Sequence, residues 1–128
     1  MKDFVTVLEP SRTVVFGGSG GGFAALYYSW FLPESLCTAV LPQTNILSYH
    51  QPNQDRYRKA CWPKAKGLSE VSQDVCLDVA ELYKDRFPNT VVYLQSSGDY
   101  YHVQTQLVPF VKKIGPRVKE KRFILESG

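Results

Sequence analysis

Apolar residues come in short, unalternating runs along the chain. Arg12–Phe16, Thr38–Leu41, Thr90–Leu94 and Lys121–Leu125 are rich in β-branched and aromatic residues. They predict strands covered by other chain on both faces, because a half-exposed strand would alternate with polar residues. Between them the period changes. Gly21–Leu32 is apolar nearly all round and stops at Pro33, which predicts a buried helix. Val71, Val75, Val79, Leu82 and Phe87 recur near one helical face between a candidate cap, Ser69, and Pro88, which predicts a single helix there. A further helix is predicted over Tyr100–Lys113, ending at Gly115-Pro116. Asp3–Pro10 reads as a short helix or an approach loop. Gln43–Lys66 reads as irregular and aromatic, with at most a short helix at Asp55–Cys61. Loops of that length in a compact domain are usually functional or poorly ordered.

Strands alternating with helices predict an α/β fold: a mostly parallel sheet with helices on both faces and right-handed crossovers. Function in such sheets sits at the carboxyl ends of the strands. The turn at Ser19, the loop from Gln43 and the turn at Asp99 all fall at that edge. No repeat or linker divides residues 1–128, so a single domain is expected. From Thr13 to Pro33 no residue is charged, but Gly17, Gly18, Gly20, Gly21 and Gly22 would break a membrane helix at its middle. No membrane span is therefore expected.

Composition changes this picture little. At 44% hydrophobic and 13% aromatic, the 128-residue chain can build a core and is not a collagen, a coiled coil or a disordered tail. The formal charge is +3, much of it in Lys112, Lys113, Arg117, Lys119, Lys121 and Arg122. Such a stretch binds phosphate or acidic surfaces in some proteins, but it reads here as a solvated helix end and loop. No nucleic-acid module is visible. Cys37, Cys61 and Cys76 are odd in number and form no Cys-x-x-Cys. Reduced thiols in a cytoplasmic protein are expected, and the amino terminus lacks the apolar run of a signal peptide. No cofactor and no metal are expected.

The chemistry concentrates in Gly17-Gly18-Ser19-Gly20-Gly21, a G-x-S-x-G between an apolar strand and an apolar helix. A serine there is pushed out of the sheet edge on a tight turn. Its neighbours must be small to avoid the adjacent strand and helix, and the Gly20 N–H is placed to stabilise an oxyanion. Gly20-Gly21-Gly22-Phe23-Ala24-Ala25 also fits a dinucleotide-binding turn, but no acidic residue follows the second strand, where Pro42-Gln43 stand. A serine nucleophile needs a base and an orienting acid. Asp99, just past the third strand, is the candidate acid, with capping of the following helix as the alternative; Asp55 is the weaker substitute. The base is expected after the strand following the acid, beyond Leu125, where no histidine stands before Gly128. His102, three residues from Asp99, is the leading candidate, and His50 the other.

Val14–Leu26 resembles the nucleophile elbow of the α/β-hydrolase superfamily. It is most similar to bacterial members associated with surface polysaccharide and accessory secretion, including acetyltransferase-like proteins. Pro42-Gln43-Thr44, Gln95 with Asp99 and His102, and Pro109-Phe110 are similar to segments of that group. The resemblance spans nearly the whole chain as the second half of a three-layer hydrolase sandwich. It implies a serine esterase or O-acyltransferase acting on a small-molecule or glycan ester, with Ser19 as nucleophile and Asp99 as acid. It also implies an incomplete domain, lacking the strands that precede the elbow and the loop that supplies a second oxyanion N–H. A non-catalytic domain that forms homo-oligomers or pairs through an open sheet edge is the alternative.

Overall fold

The computed structural model describes residues 2–128. Four strands, β1 (Val14–Gly18), β2 (Leu36–Val40), β3 (Thr90–Gln95) and β4 (Phe123–Ser127), form one sheet in the order β1-β2-β3-β4. Every neighbouring pair is parallel. This is an α/β fold with a parallel sheet, as the alternation of elements predicts, but the expected cover on both faces is not met: the core lies on one face, and Val14 and Phe16 are exposed on the other. β1 and β4 are the open edges. The amino-terminal segment forms a helix, α1 (Lys2–Leu8), and α2 (Gly20–Trp30) links β1 to β2.

The register separates the two faces of the sheet. Val15, Cys37, Val91 and Phe123 lie side by side on one face, and Gly17, Ala39 and Tyr93 continue it. Cys37, Ala39, Val91, Tyr93 and Phe123 are buried against Phe23 and Leu26 of α2 and against the helices that follow β2 and β3. The other face carries the row Phe16, Thr38, Val92 and Ile124. There Val14 is 63% exposed and Phe16 72%. A strand order without reversal accounts for the difference: crossovers of one hand, each stepping the same way, lie on the same side of the sheet.

Between β2 and β3 the chain is more ordered than its composition suggests. A 3-10 turn (Ile46–Ser48) is followed by α3 (Gln51–Cys61), longer than the Asp55–Cys61 helix predicted, with Pro52 tolerated in its first turn. The helix expected from Ser69 to Phe87 is instead two short ones, α4 (Leu68–Val71) and α5 (Ala80–Tyr83). Gly67 rather than Ser69 stands at the cap of α4. The backbone between the two pairs elsewhere: Ile46 N–H donates to Leu77 O at 2.9 Å and Val79 N–H to Thr44 O at 2.9 Å. The apolar positions are still core, with Val71, Val79 and Phe87 buried. Tertiary pairing overrode the helical period.

Buried polar groups tie α2 to this segment. Tyr83 donates its hydroxyl to Leu26 O at 2.8 Å, and Asn89 Nδ2 donates to Ser29 Oγ at 2.8 Å. Burial raises the Tyr83 phenol well above its ordinary value. It also pushes the Cys37 thiol up to about 11.

After β3 the chain runs through α6 (Tyr100–His102), a π turn (Val103–Leu107) and α7 (Val108–Ile114). The predicted Tyr100–Lys113 helix is therefore present but interrupted. Pro109 has no N–H for the carbonyl of Thr105, and the widened turn falls just before it. α7 contributes Phe110 and Ile114 to the core. A last 3-10 stretch, Gly115–Lys119, leads to β4. No helix among the described residues is long and apolar enough to cross a membrane. The basic stretch is partly neutralised: Lys113 pairs with Asp78 and Glu81, Arg117 with Glu120, and Arg122 with Glu34.

Candidate active site

Ser19 lies between β1 and α2 with φ 52° and ψ −120°. That is outside the regions open to ordinary L-residues and costs on the order of 1–3 kcal/mol. Three backbone hydrogen bonds hold it. Ser19 N–H donates to Val40 O at 3.0 Å, and Ser19 O accepts from Phe23 N–H at 3.2 Å and from Gln43 N–H at 3.1 Å. The glycines make the turn feasible, but not all for the same reason. A Cβ on Gly17 would stand 2.1 Å from Gly21 O, and one on Gly22 would stand 2.6 Å from Pro42 Cβ. A Cβ on Gly21 would meet nothing within 4 Å. Close approach thus requires glycine at Gly17 and Gly22, whereas the final glycine of G-x-S-x-G is sterically free.

The segment after β2 closes over this turn. Leu41 has φ 45° and redirects the chain so that Pro42, Gln43 and Thr44 are buried. Gln43 donates from Nε2 to Ser19 Oγ at 3.2 Å. Gln106, fully buried in the π turn, anchors the same segment from the other side. Its Oε1 accepts from Thr44 N–H at 2.8 Å and Asn45 N–H at 3.0 Å, and its carbonyl accepts from Thr44 Oγ1 at 2.8 Å.

Asp99 and His102 form a pair. His102 Nδ1 lies 2.7 Å from Asp99 Oδ2, and Asp99 Oδ1 accepts from the His102 backbone N–H at 3.2 Å. Asp99 is therefore both a helix cap and the partner of the imidazole. The carboxylate accepts, so Nδ1 carries the proton in the neutral ring and Nε2 presents a lone pair. Nε2 is buried and has no hydrogen-bond partner among the described residues. The structure thus joins Asp99 to His102 but leaves Ser19 Oγ on Gln43, with no imidazole bonded to it among the described residues. His50 stacks on Tyr101 with ring centroids 4.3 Å apart, and Tyr49 lies 5.9 Å from His102. Asp55 accepts from Gln51 within α3, apart from this pair.

A cleft of about 220 Å³ lies beside the elbow, reaching Gly20 and Gln43 but not lined by Ser19, Asp99 or His102. Gly20, Phe23 and Ala24 of α2, Gln43, Tyr49 and Tyr57 of α3 contribute to its lining. Burial raises the Tyr57 phenol above its ordinary value. A larger cleft, about 460 Å³, lies at Cys61–Ala65, Glu70, Val71, Asp74 and Val75, away from Gln43 as well. The described residues hold no cluster of histidine, cysteine or carboxylate side chains suited to a metal.

Sequence reasoning placed Ser19, Gly20, Asp99 and His102 at the strand ends, but it gave Gln43 and Gln106 no role. For Gln43 the signal was its place in Pro42-Gln43-Thr44 at the carboxyl edge of the second strand; Gln106, among Gln104, Thr105 and Leu107, had none. The fold and the site define a parallel α/β protein with a strained serine at a strand-to-helix turn. No protein-family model, curated protein or solved structure matches the chain.

Proposed function

We propose that the chain is a serine hydrolase or O-acyltransferase-like domain of α/β-hydrolase type, acting on an ester. The observation that carries this reading is the backbone of Ser19, held at positive φ by three hydrogen bonds between an apolar strand and the first turn of a buried helix. Strain of that size in a residue that is not glycine, maintained by its surroundings, is what a nucleophile elbow requires.

Ser19 Oγ attacks the ester carbonyl and passes its proton to Nε2 of His102, which Asp99 orients. The Gly20 N–H stabilises the oxyanion at the amino end of α2. The C–O bond to the alcohol then breaks, and the alcohol leaves with the proton held by His102. Water or a sugar hydroxyl attacks the acyl-serine and gives its proton to Nε2 of His102; the bond from the acyl carbon to Ser19 Oγ breaks, Oγ takes that proton, and the acid or a new ester is released. His102 engages Ser19 when substrate displaces the resting arrangement, since catalytic hydrogen bonds commonly tighten only in the complex. The adjoining cleft exceeds the roughly 150 Å³ cavity that accepts benzene, so it accommodates an acyl group of about that size.

Labelling of the folded chain with a fluorophosphonate tests this reading. The expected result is one label per chain, lost in Ser19→Ala. A folded chain that does not label favours the second reading, a non-catalytic interaction domain. That reading is supported by the open sheet face around Val14 and Phe16 and by the resting Oγ, which is bonded to an amide rather than an imidazole.

A further inference from the structure

The geometry points to the side-chain amide of Gln43 as a second oxyanion donor, working beside the Gly20 N–H. This inference rests on the Ser19 reading and extends it to a residue outside the triad. A tetrahedral intermediate carries its oxyanion on the same carbon as Ser19 Oγ, so a donor already at Oγ is close to the developing charge. Gln43 Nε2 is 3.2 Å from Oγ. A primary amide carries two N–H donors. One is directed at Oγ, and Oγ is the partner of this nitrogen among the described residues. The second N–H is left for the oxygen that becomes negative. The amide head lies beside Gly20: a Cβ there would stand 3.5 Å from Gln43 Oε1, so the amide oxygen is the atom nearest that residue and Nε2 is the one turned to Ser19.

A donor contributes to catalysis only if it is already oriented when charge develops. Gln43 is 6% exposed and is fixed on both sides. Its own N–H is bonded to Ser19 O, Pro42 packs on Gly22, and Thr44 is bonded to Gln106. These contacts fix the backbone from which the side chain projects, and burial limits the amide's freedom to leave Ser19 Oγ. Its donation to Oγ in the resting state also favours the alkoxide form of the serine, because a hydrogen bond to the charged form stabilises it.

The test compares wild type, Gln43→Ala and Gln43→Glu for hydrolysis of p-nitrophenyl esters and for binding of a trifluoromethyl ketone, which forms a hemiketal oxyanion on Ser19. Gln43→Glu keeps the shape and the backbone hydrogen bond but removes both donors. The expected result is a fall in kcat of about 10²–10³-fold in both variants, the loss typical of one oxyanion donor. KM should stay within about threefold, and ketone affinity should fall in parallel with kcat/KM. Thermal unfolding confirms that each variant is folded, and Gln43→Glu serves if Gln43→Ala does not fold. Unchanged kcat overturns the inference, as does a fall in kcat without loss of ketone affinity, which is the signature of a positioning residue. A wild type that neither labels with fluorophosphonate nor hydrolyses any ester overturns the Ser19 reading itself and the inference with it.

Discussion

Asp99 meets His102 twice, through Oδ2 to the imidazole at 2.7 Å and through Oδ1 to the backbone N–H at 3.2 Å. One carboxylate thus starts α6 and fixes the tautomer of a ring whose Nε2 has no partner among the described residues. The two roles are separable by substitution. Asp99→Asn keeps a good cap, since Asn and Asp are equivalent there, so stability should change by less than about 1 kcal/mol. Ester hydrolysis should fall by about 10²–10⁴-fold, the range for losing an oriented general base. Asp99→Ala should lose the same activity and an additional 0.5–2 kcal/mol or so of stability. Denaturant unfolding beside ester kinetics measures both, and equal activity in wild type and Asp99→Asn would remove Asp99 from the site.

The glycines of the elbow should differ sharply in tolerance. Gly17→Ala places a Cβ 2.1 Å from Gly21 O, a backbone atom that cannot turn aside, and Gly22→Ala drives one into Pro42. Each should destabilise by more than about 3 kcal/mol or prevent folding, as overpacking against a fixed neighbour does. Gly21→Ala meets open space and should be neutral or stabilising by up to about 1 kcal/mol, because alanine is the better helix former. Thermal unfolding of the three variants decides this, and a well-folded Gly17→Ala would contradict the close approach.

Gln106→Leu should loosen the cover of the site. It leaves the N–H groups of Thr44 and Asn45 without their acceptor in a buried setting. The expected loss is about 2–4 kcal/mol, the range for stranding two buried donors. Limited proteolysis should cut first between Thr44 and Tyr49. Wild-type protection there would show that the segment holds without Gln106.

Acid should weaken the contact between α5 and α7. Lys113 and Lys84 hold the Glu81 carboxyl well below its ordinary value, at about 2. A depressed folded-state value means that Glu81 contributes its full stabilisation above about pH 4.5, the ordinary value, and loses it as pH falls towards 2. The pair is exposed, so the effect should be within the 0–1 kcal/mol or so usual for surface ion pairs. Glu81→Gln should flatten that part of the stability–pH curve, read by urea unfolding between pH 2 and pH 6 or so. An unchanged slope would show that the ion pairs are too solvated to contribute.

Much of this molecule is determined by local sequence. The four strands, the buried α2 and the sharp turn at Ser19 follow from runs of β-branched residues, from Pro33, Pro42 and Pro88, and from glycines that exclude a continuous helix. These are short-range effects of sterics and burial, so they are legible in the chain alone, as is the placing of Ser19 and Asp99 at the carboxyl edge. Tertiary structure decided the rest. The residues from Val71 to Val79 carry a helical period, yet long-range pairing of Thr44–Ile46 with Leu77–Val79 splits the helix. The order β1-β2-β3-β4, which no local pattern encodes, leaves Val14 and Phe16 exposed on one face of the sheet. Gln43 reaches Ser19, and Gln106 reaches Thr44, across loops whose closure depends on the whole sheet. A hydrogen bond between residues far apart in the chain has no local signature, and the candidate site is built largely from such bonds.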